Sequence, residues 1–359
     1  MKIYNFIFHS KNLYIFFIIV SLTNFFFSTA KVEAKAFDIV DIEISKPFKI
    51  DFDKRDIIDE GFKIAFSKLA NLIAKSSDQK KLNEIKLNEI KGMIESFSIK
   101  EEKFIDQVYY VNLGVSFNKK KVFDYFEKKN IFPSLPSKKK FLFIPIIIDE
   151  NAKDLLIFSD NKFFEKWNEK KETYQLLEYI LPTEDLEDFN LIKKRYEFIE
   201  EYDFKEITDK YNLKDSIIAL IFKNEQGIRV LSRIKSKNDL VLKNQSFKNV
   251  NINDDDQIIN LINSLKEIYE DYWKDFNLIN TSIKFQLMIK IDSSDNQKIS
   301  KFEKILSETD LIYDYSISKF DRNYLIYEII FNGTPDLFLK LMSEKNKEFD
   351  TQNRIWKLK

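Results

Sequence analysis

Residues Asp215–Phe276 read DSIIALIFKNEQGIRVLSRIKSKNDLVLKNQSFKNVNINDDDQIINLINSLKEIYEDYWKDF, and the fold class follows from this stretch. Three β-rich runs, Ile217–Phe222, Ile228–Ile234 and Asp239–Phe247, are separated by short polar turns. The first turn, Asn224–Gly227, carries the glycine of a hairpin loop. Apolar residues then recur at three- and four-residue intervals: Ile258, Ile259, Ile262, Leu265, Tyr269, Tyr272, Trp273 and Phe276. That spacing places them on one face of a long helix. A three-stranded meander cannot stand alone, and this helix supplies the cover it needs. The stretch specifies a scaffold and contains no recognisable reaction site.

The same reading extends to both sides. Downstream, Ser282–Ile291 alternates as a strand, and Gln297–Thr309 has a helical face. Ile312–Phe320 and Tyr324–Phe331 form a hairpin, and Thr334-Pro335 opens a helix over Asp336–Glu344. With a last strand at Arg354–Leu358, residues 280–359 are expected to form a ferredoxin-like βαββαβ sandwich. Upstream, residues 36–130 predict a small α+β domain. Its elements are a strand at Phe37–Ile44 with a slip near Asp38, a helix opening at Asp53 or Lys54, and a second helix at Gln79–Glu95. A strand pair, Ile94–Glu101 with Gln107–Phe117, and a helix, Lys119–Lys129 capped by Asn118, complete it. The second helix contains KLNEI twice, at Lys81–Ile85 and Lys86–Ile90, which reads as slippage in a tolerant surface segment.

A linker at 131–139, with Pro133 and Pro136, leads into a middle α/β domain at 140–279. It opens with Phe141–Ile148 (FLFIPIII), a continuous apolar run expected of a strand buried on both faces. Pro145 within it calls for an edge or a bulge. A short strand at Asp154–Ser159 and a helix at Lys162–Lys171 follow, and Tyr174–Leu181 then leads into an acidic loop. The expected fold class is therefore α+β and multi-domain, with small sandwiches of mainly antiparallel sheet covered by helices on one face.

Composition narrows the chemistry. The chain has 58 basic and 58 acidic residues, without the basic excess of a nucleic-acid binder. It has no Cys, and its only His is His9. Thiolate and imidazole metal sites, and Ser-His-Asp or Cys-His catalysis, therefore lack their side chains in the chain beyond residue 9. Residues 1–34 read as a signal peptide: Lys2 and Lys11 flank the start, and Leu13–Ala30 is the apolar region. Small residues follow, so cleavage is expected between residues 30 and 36, with an uncleaved inner-membrane anchor as the alternative. No later stretch is apolar enough to span a membrane, and a periplasmic location is expected.

Four features invite a site and have plainer explanations. The acidic loop Leu181–Asn190 (LPTEDLEDFN) offers Glu184, Asp185, Glu187 and Asp188 for Ca²⁺, Mg²⁺ or a carboxylate pair. Its spacing is not that of a calcium loop, and helix initiation after Thr183 explains the same charges. Asp254–Asp256 stand where the long helix begins, which capping explains. Trp167 reads as a core indole rather than a ligand platform. Lys119–Lys121, Lys128, Lys129 and Lys138–Lys140 make a basic cluster, read as a solvated face beside a domain boundary. No catalytic, cofactor-binding or metal residue is assigned, and no cofactor is expected.

The loop LPTEDLEDFN, the strand FLFIPIII before it and the helix ending EIYEDYWK (267–274) after it carry a resemblance. In this order they resemble an exported proteobacterial family catalogued as domain of unknown function 2066. The middle domain is also loosely similar to periplasmic α/β domains, those at the amino terminus of the Tol-system propeller protein and in lipoprotein activators of cell-wall synthases. This chain has no Cys to carry a lipid. The resemblance implies no enzyme activity and transfers no functional residue. The expectation is a non-enzymatic cell-envelope scaffold or adaptor whose partner is another envelope protein or assembly. The alternatives are a carboxylate-dependent envelope enzyme of the glycan-hydrolysing type and a binding protein for a small molecule or lipid.

Overall fold

The computed structural model of the chain describes residues 37–50, 52–169, 175–236 and 239–359. The expected signal segment, residue Tyr174 and the end of the helix expected at Lys162–Lys171 lie outside these residues. The described chain is α+β and is built on three sheets.

The first sheet has three antiparallel strands, β1 (Asp38–Pro47), β2 (Ile94–Ile105) and β3 (Val108–Phe117), with β3 in the middle. The slip expected near Asp38 is a register shift between Ile39 and Ile42, where Asp41 has φ 56°. Helix α1 (Lys54–Ile73) is capped by Asp53, which accepts from Arg55 N–H. It buries Ile57, Phe62, Ala65, Phe66 and Leu69, with Phe66 edge-on to Phe117 of β3 and Gly61 close to Leu113. Where one helix was expected over Gln79–Glu95, two short ones form, α2 (Gln79–Asn83) and α3 (Leu87–Met93). The first KLNEI copy ends α2 and the second starts α3, because Lys86 N–H is taken by the Glu89 carboxylate at 3.0 Å. That bond caps a new helix instead of continuing the old one. Helix α4 (Lys119–Lys128) closes this part, with Asn118 accepting from Lys121 N–H.

The second sheet runs β5-β4-β7-β8-β9, formed by β4 (Lys139–Asp149), β5 (Asp154–Leu156), β7 (Ser216–Asn224), β8 (Gly227–Ser236) and β9 (Asp239–Lys248). Strand β6 (Leu177–Ile180) also pairs with β4. The meander β7-β8-β9 turns through Asn224–Gly227, where Gly227 has φ 140°. Helix α8 (Asp255–Phe276) covers one face through Ile258, Leu261, Ile262, Leu265, Tyr269 and Trp273. The other face packs on Ile192, Ile199, Phe204 and Ile207. Here lie α6 (Leu186–Lys193) and α7 (Lys205–Thr208), after the short α5 (Lys162–Lys166). Burial on both faces explains why β4 is apolar without alternation.

Pro145 is not on an edge strand. Strand β4 pairs with β7 continuously from Leu142 to Asp149. On its other side β6 pairs with Lys139–Leu142 and β5 with Ile147–Asp149. Pro145 stands in the gap between them, where no neighbouring strand asks for its missing N–H. Its carbonyl accepts from Asn161 Nδ2 at 3.0 Å, and the Asn161 Oδ1 caps α5 by accepting from Phe163 N–H at 2.9 Å.

The third sheet runs β11-β12-β10-β14-β13, comprising β10 (Phe285–Asp292), β11 (Ile312–Phe320), β12 (Tyr324–Phe331), β13 (Phe349–Asp350) and β14 (Ile355–Leu358). Helices α9 (Asn296–Glu308) and α10 (Pro335–Glu344) pack on it, α10 being capped by Thr334. The ferredoxin-like order holds through α10. The closing strand β14 then runs parallel to β10, because β13 first reverses the chain.

Polar contacts tie the three sheets into one unit, Phe37–Lys359. Tyr313 donates to Asp124 at 2.5 Å, and Lys119 Nζ donates to the Thr309 carbonyl at 2.9 Å. Ser76 N–H donates to Asp271 on α8 at 2.9 Å, and Ser134 pairs with Leu278 as an isolated bridge.

Candidate functional site

The acidic loop is organised around a cation that the protein supplies itself. Asp185 caps α6, accepting from Glu187 N–H at 2.7 Å, and that bond is the main cause holding its carboxyl below the usual carboxylate range. Asp188 is 1% exposed, and its Oδ1 accepts from Lys210 Nζ at 2.6 Å. The same ammonium lies 3.6 Å from Asp185 and 3.7 Å from Glu187. The Asp188 hydrogen bond pushes the Lys210 pKa upward. Glu184 is exposed. Thus three of the four carboxylates converge on a lysine that the loop itself does not contain. Among the described residues, no three His, Cys, Asp or Glu groups are placed to hold a metal.

The other marked residues resolve in the same manner. Asp254 caps α8 through Asp256 and Gln257 N–H, and Asp255 pairs with Lys162 and Lys166, each at 2.9 Å. Trp167 is fully buried and stacks on Phe143 with centroids 3.8 Å apart. In the basic cluster, Lys119 donates to the Thr309 carbonyl at the end of α9 and Lys120 pairs with Asp314 of β11, while Lys139 pairs with Asp215 at 2.6 Å and Lys140 with Glu178 at 3.2 Å.

A buried polar group under α8 had no signal in the sequence. Glu270 accepts from the backbone N–H groups of Leu176 and Leu177, holding the start of β6. Burial raises its pKa, and burial lowers that of Lys274 one turn on. Nearby, the Tyr269 and Ser232 hydroxyls share a hydrogen bond at 2.7 Å. Among the described residues the Tyr179 hydroxyl and the Trp167 Nε1 have no partner, and burial pushes the Tyr179 pKa well up. Charged residues on a helix read as its outer face, which hid Glu270 and Lys274. The shallow indentation beside Lys166 and Lys266 has about 270 Å³ of empty space, small for a bound organic molecule.

Open strand edges are the other feature of chemical interest. Among the described residues strand β9 pairs only with β8, and it exposes Leu240 (54%) and Leu242 (59%) side by side on one face. Strand β2 pairs, among the described residues, only with β3, and none of its twelve residues is buried. An unpaired edge presents N–H and C=O groups to any extended chain that fits. No helix among the described residues is long and apolar enough to cross a membrane. No family model matches the chain, and no curated protein matches it.

Proposed function

We propose that the chain is an exported, non-enzymatic cell-envelope protein that acts as a scaffold or adaptor and binds another envelope protein along a sheet edge. The observation that carries this reading is β9, a ten-residue edge strand with two leucines exposed in succession on one face. Main-chain pairing would supply affinity there, and the leucines would select the partner's side chains. The acidic loop supports it from the other side, since its three converging carboxylates are engaged by Lys210. Export rests on the apolar segment at Leu13–Ala30. The likeness to the exported proteobacterial family is part of the same proposal.

The test places a photo-crosslinking amino acid at Leu242 in living cells, with Lys304, an exposed residue on α9, as the control site. One recurrent envelope protein captured from position 242 and not from 304 is the expected result. Capture of nothing at 242, with loss of function in D185A/D188A despite normal folding, would instead support the carboxylate-enzyme reading.

A further inference from the structure

The face pattern of β2 is nearly symmetrical about its own bulge. Opposite the buried residues Tyr109, Val111, Leu113 and Val115 of β3 stand Phe104, Glu102, Ile99 and Phe97. These four share the α1 side of the sheet. Opposite Val108, Tyr110, Asn112 and Gly114 stand Ile105, Lys103, Glu101 and Ser98, on the far side. The register shifts between Ile99 and Glu101, leaving Lys100 as the extra residue. Its Nζ reaches Asp41 at 3.1 Å, beyond Gly114, so Lys100 and Glu101 both lie on the far side.

In an ordinary strand, a twofold axis between two successive residues would oppose side chains from opposite faces. The bulge removes that conflict. With the axis between Lys100 and Glu101, an antiparallel second copy brings Phe97 opposite Phe104, Ser98 opposite Lys103, Ile99 opposite Glu102, and Lys100 opposite Glu101. Each pair lies on a single face and occurs twice, as an isologous contact requires. The phenylalanines are about half exposed in the single chain, Phe97 at 48% and Phe104 at 55%. Charges on an edge ordinarily guard it against pairing. Here each lysine at the axis meets a glutamate of the other copy.

We propose that β2 is a homodimerisation edge, whose occupant is β2 of a second copy of this chain. The resulting six-stranded sheet is continuous across the axis, and it leaves β9 free for the partner considered above. The inference does not depend on that partner.

The full chain contains no Cys, so introduced thiols report on this edge alone. Residues 98 and 103 of one extended strand are about 16 Å apart, too far for an internal disulfide. Mild oxidation of S98C/K103C is expected to yield a covalent dimer, while S98C and K103C alone remain uncrosslinked. In sedimentation equilibrium, K100E is expected to weaken the dimer roughly tenfold or more by setting like charges at the axis. The swap K100E/E101K is expected to restore it. Lys100 and Asp41 are both well exposed, so K100E should keep the parent's far-ultraviolet circular dichroism spectrum, which checks that it folds. A wild-type chain that sediments as a monomer at about 100 μM would overturn the proposal, that being the weakest affinity worth calling a dimer. A dimer indifferent to K100E, or a double-cysteine variant no more crosslinked than the single ones, would overturn it too.

Discussion

The Glu270 carboxylate accepts a hydrogen bond from the Leu177 backbone N–H at 2.7 Å, fastening α8 to the first residue of β6. Leu176 N–H donates to the same carboxylate at 3.1 Å. E270A strands two buried donors and is expected to cost about 2–4 kcal/mol in urea denaturation, with E270Q costing less because an acceptor oxygen remains. Burial raises the Glu270 pKa above its ordinary 4.5. The folded protein thus holds this proton more tightly than the unfolded chain does. That contribution is complete below about pH 4.5 and is lost as the pH rises through the folded value. The stability advantage of wild type over E270Q should therefore shrink from pH 4 towards neutrality. An advantage that grows with pH would show the carboxylate to be held in its charged form.

Lys210 is the internal counterion of the acidic loop. K210M leaves the buried Asp188 carboxylate without a partner, so it is expected to lower the melting temperature more than D188N does. The double variant should recover part of the loss, the sign of direct coupling. Millimolar Ca²⁺ or Mg²⁺ should leave the wild-type melting curve in place, whereas an upward shift would reveal a cation site.

Asn161 joins β4 to α5 through opposite ends of one amide. N161D keeps the cap but cannot donate to the Pro145 carbonyl, and it sets a carboxylate against it. A loss of about 2–3 kcal/mol is expected, more than a cap alone accounts for. A neutral N161D in denaturant titration would mean that the gap in the sheet needs no closing group.

Two glycines should respond in opposite directions. Gly227 has φ 140°, and a Cβ there would lie 2.3 Å from the Phe247 carbonyl oxygen, so G227A is expected to cost about 2–3 kcal/mol. Gly92 lies in α3 with nothing within 4 Å of the added carbon, so G92A should gain about 0.5–1 kcal/mol. Thermal melts of the two variants check both.

Elements whose cause is local were legible in the sequence. The α8 face from Ile258 to Trp273, the Asp254 and Thr334 caps and the Gly227 turn are all set by residues within a few positions of one another. Reading failed where a distant residue decides. The β4 run foretold burial on both faces, yet only the termini of β5 and β6 show why Pro145 is tolerated there. The carboxylates of Leu181–Asn190 were visible, and Lys210, twenty-two positions from Asp188, was not. KLNEI is the exception, because its cause is local: the Glu89 carboxylate takes Lys86 N–H, and two identical pentapeptides end one helix and begin another. The open edge of β2 appears only once strand order is known.

The pairing of β4 with β7 also sets a schedule. Asp149 and Lys223, joined at the end of that ladder, are 74 positions apart. During synthesis, FLFIPIII leaves the ribosome long before Ser216–Phe222 exists to receive it. In that interval it is a bare, uncharged β-forming segment, the kind that aggregates unless it is shielded. Pro145 sits at its centre and removes one donor from the strand, so the residue that the finished sheet merely tolerates protects the nascent chain against stacking with its neighbours.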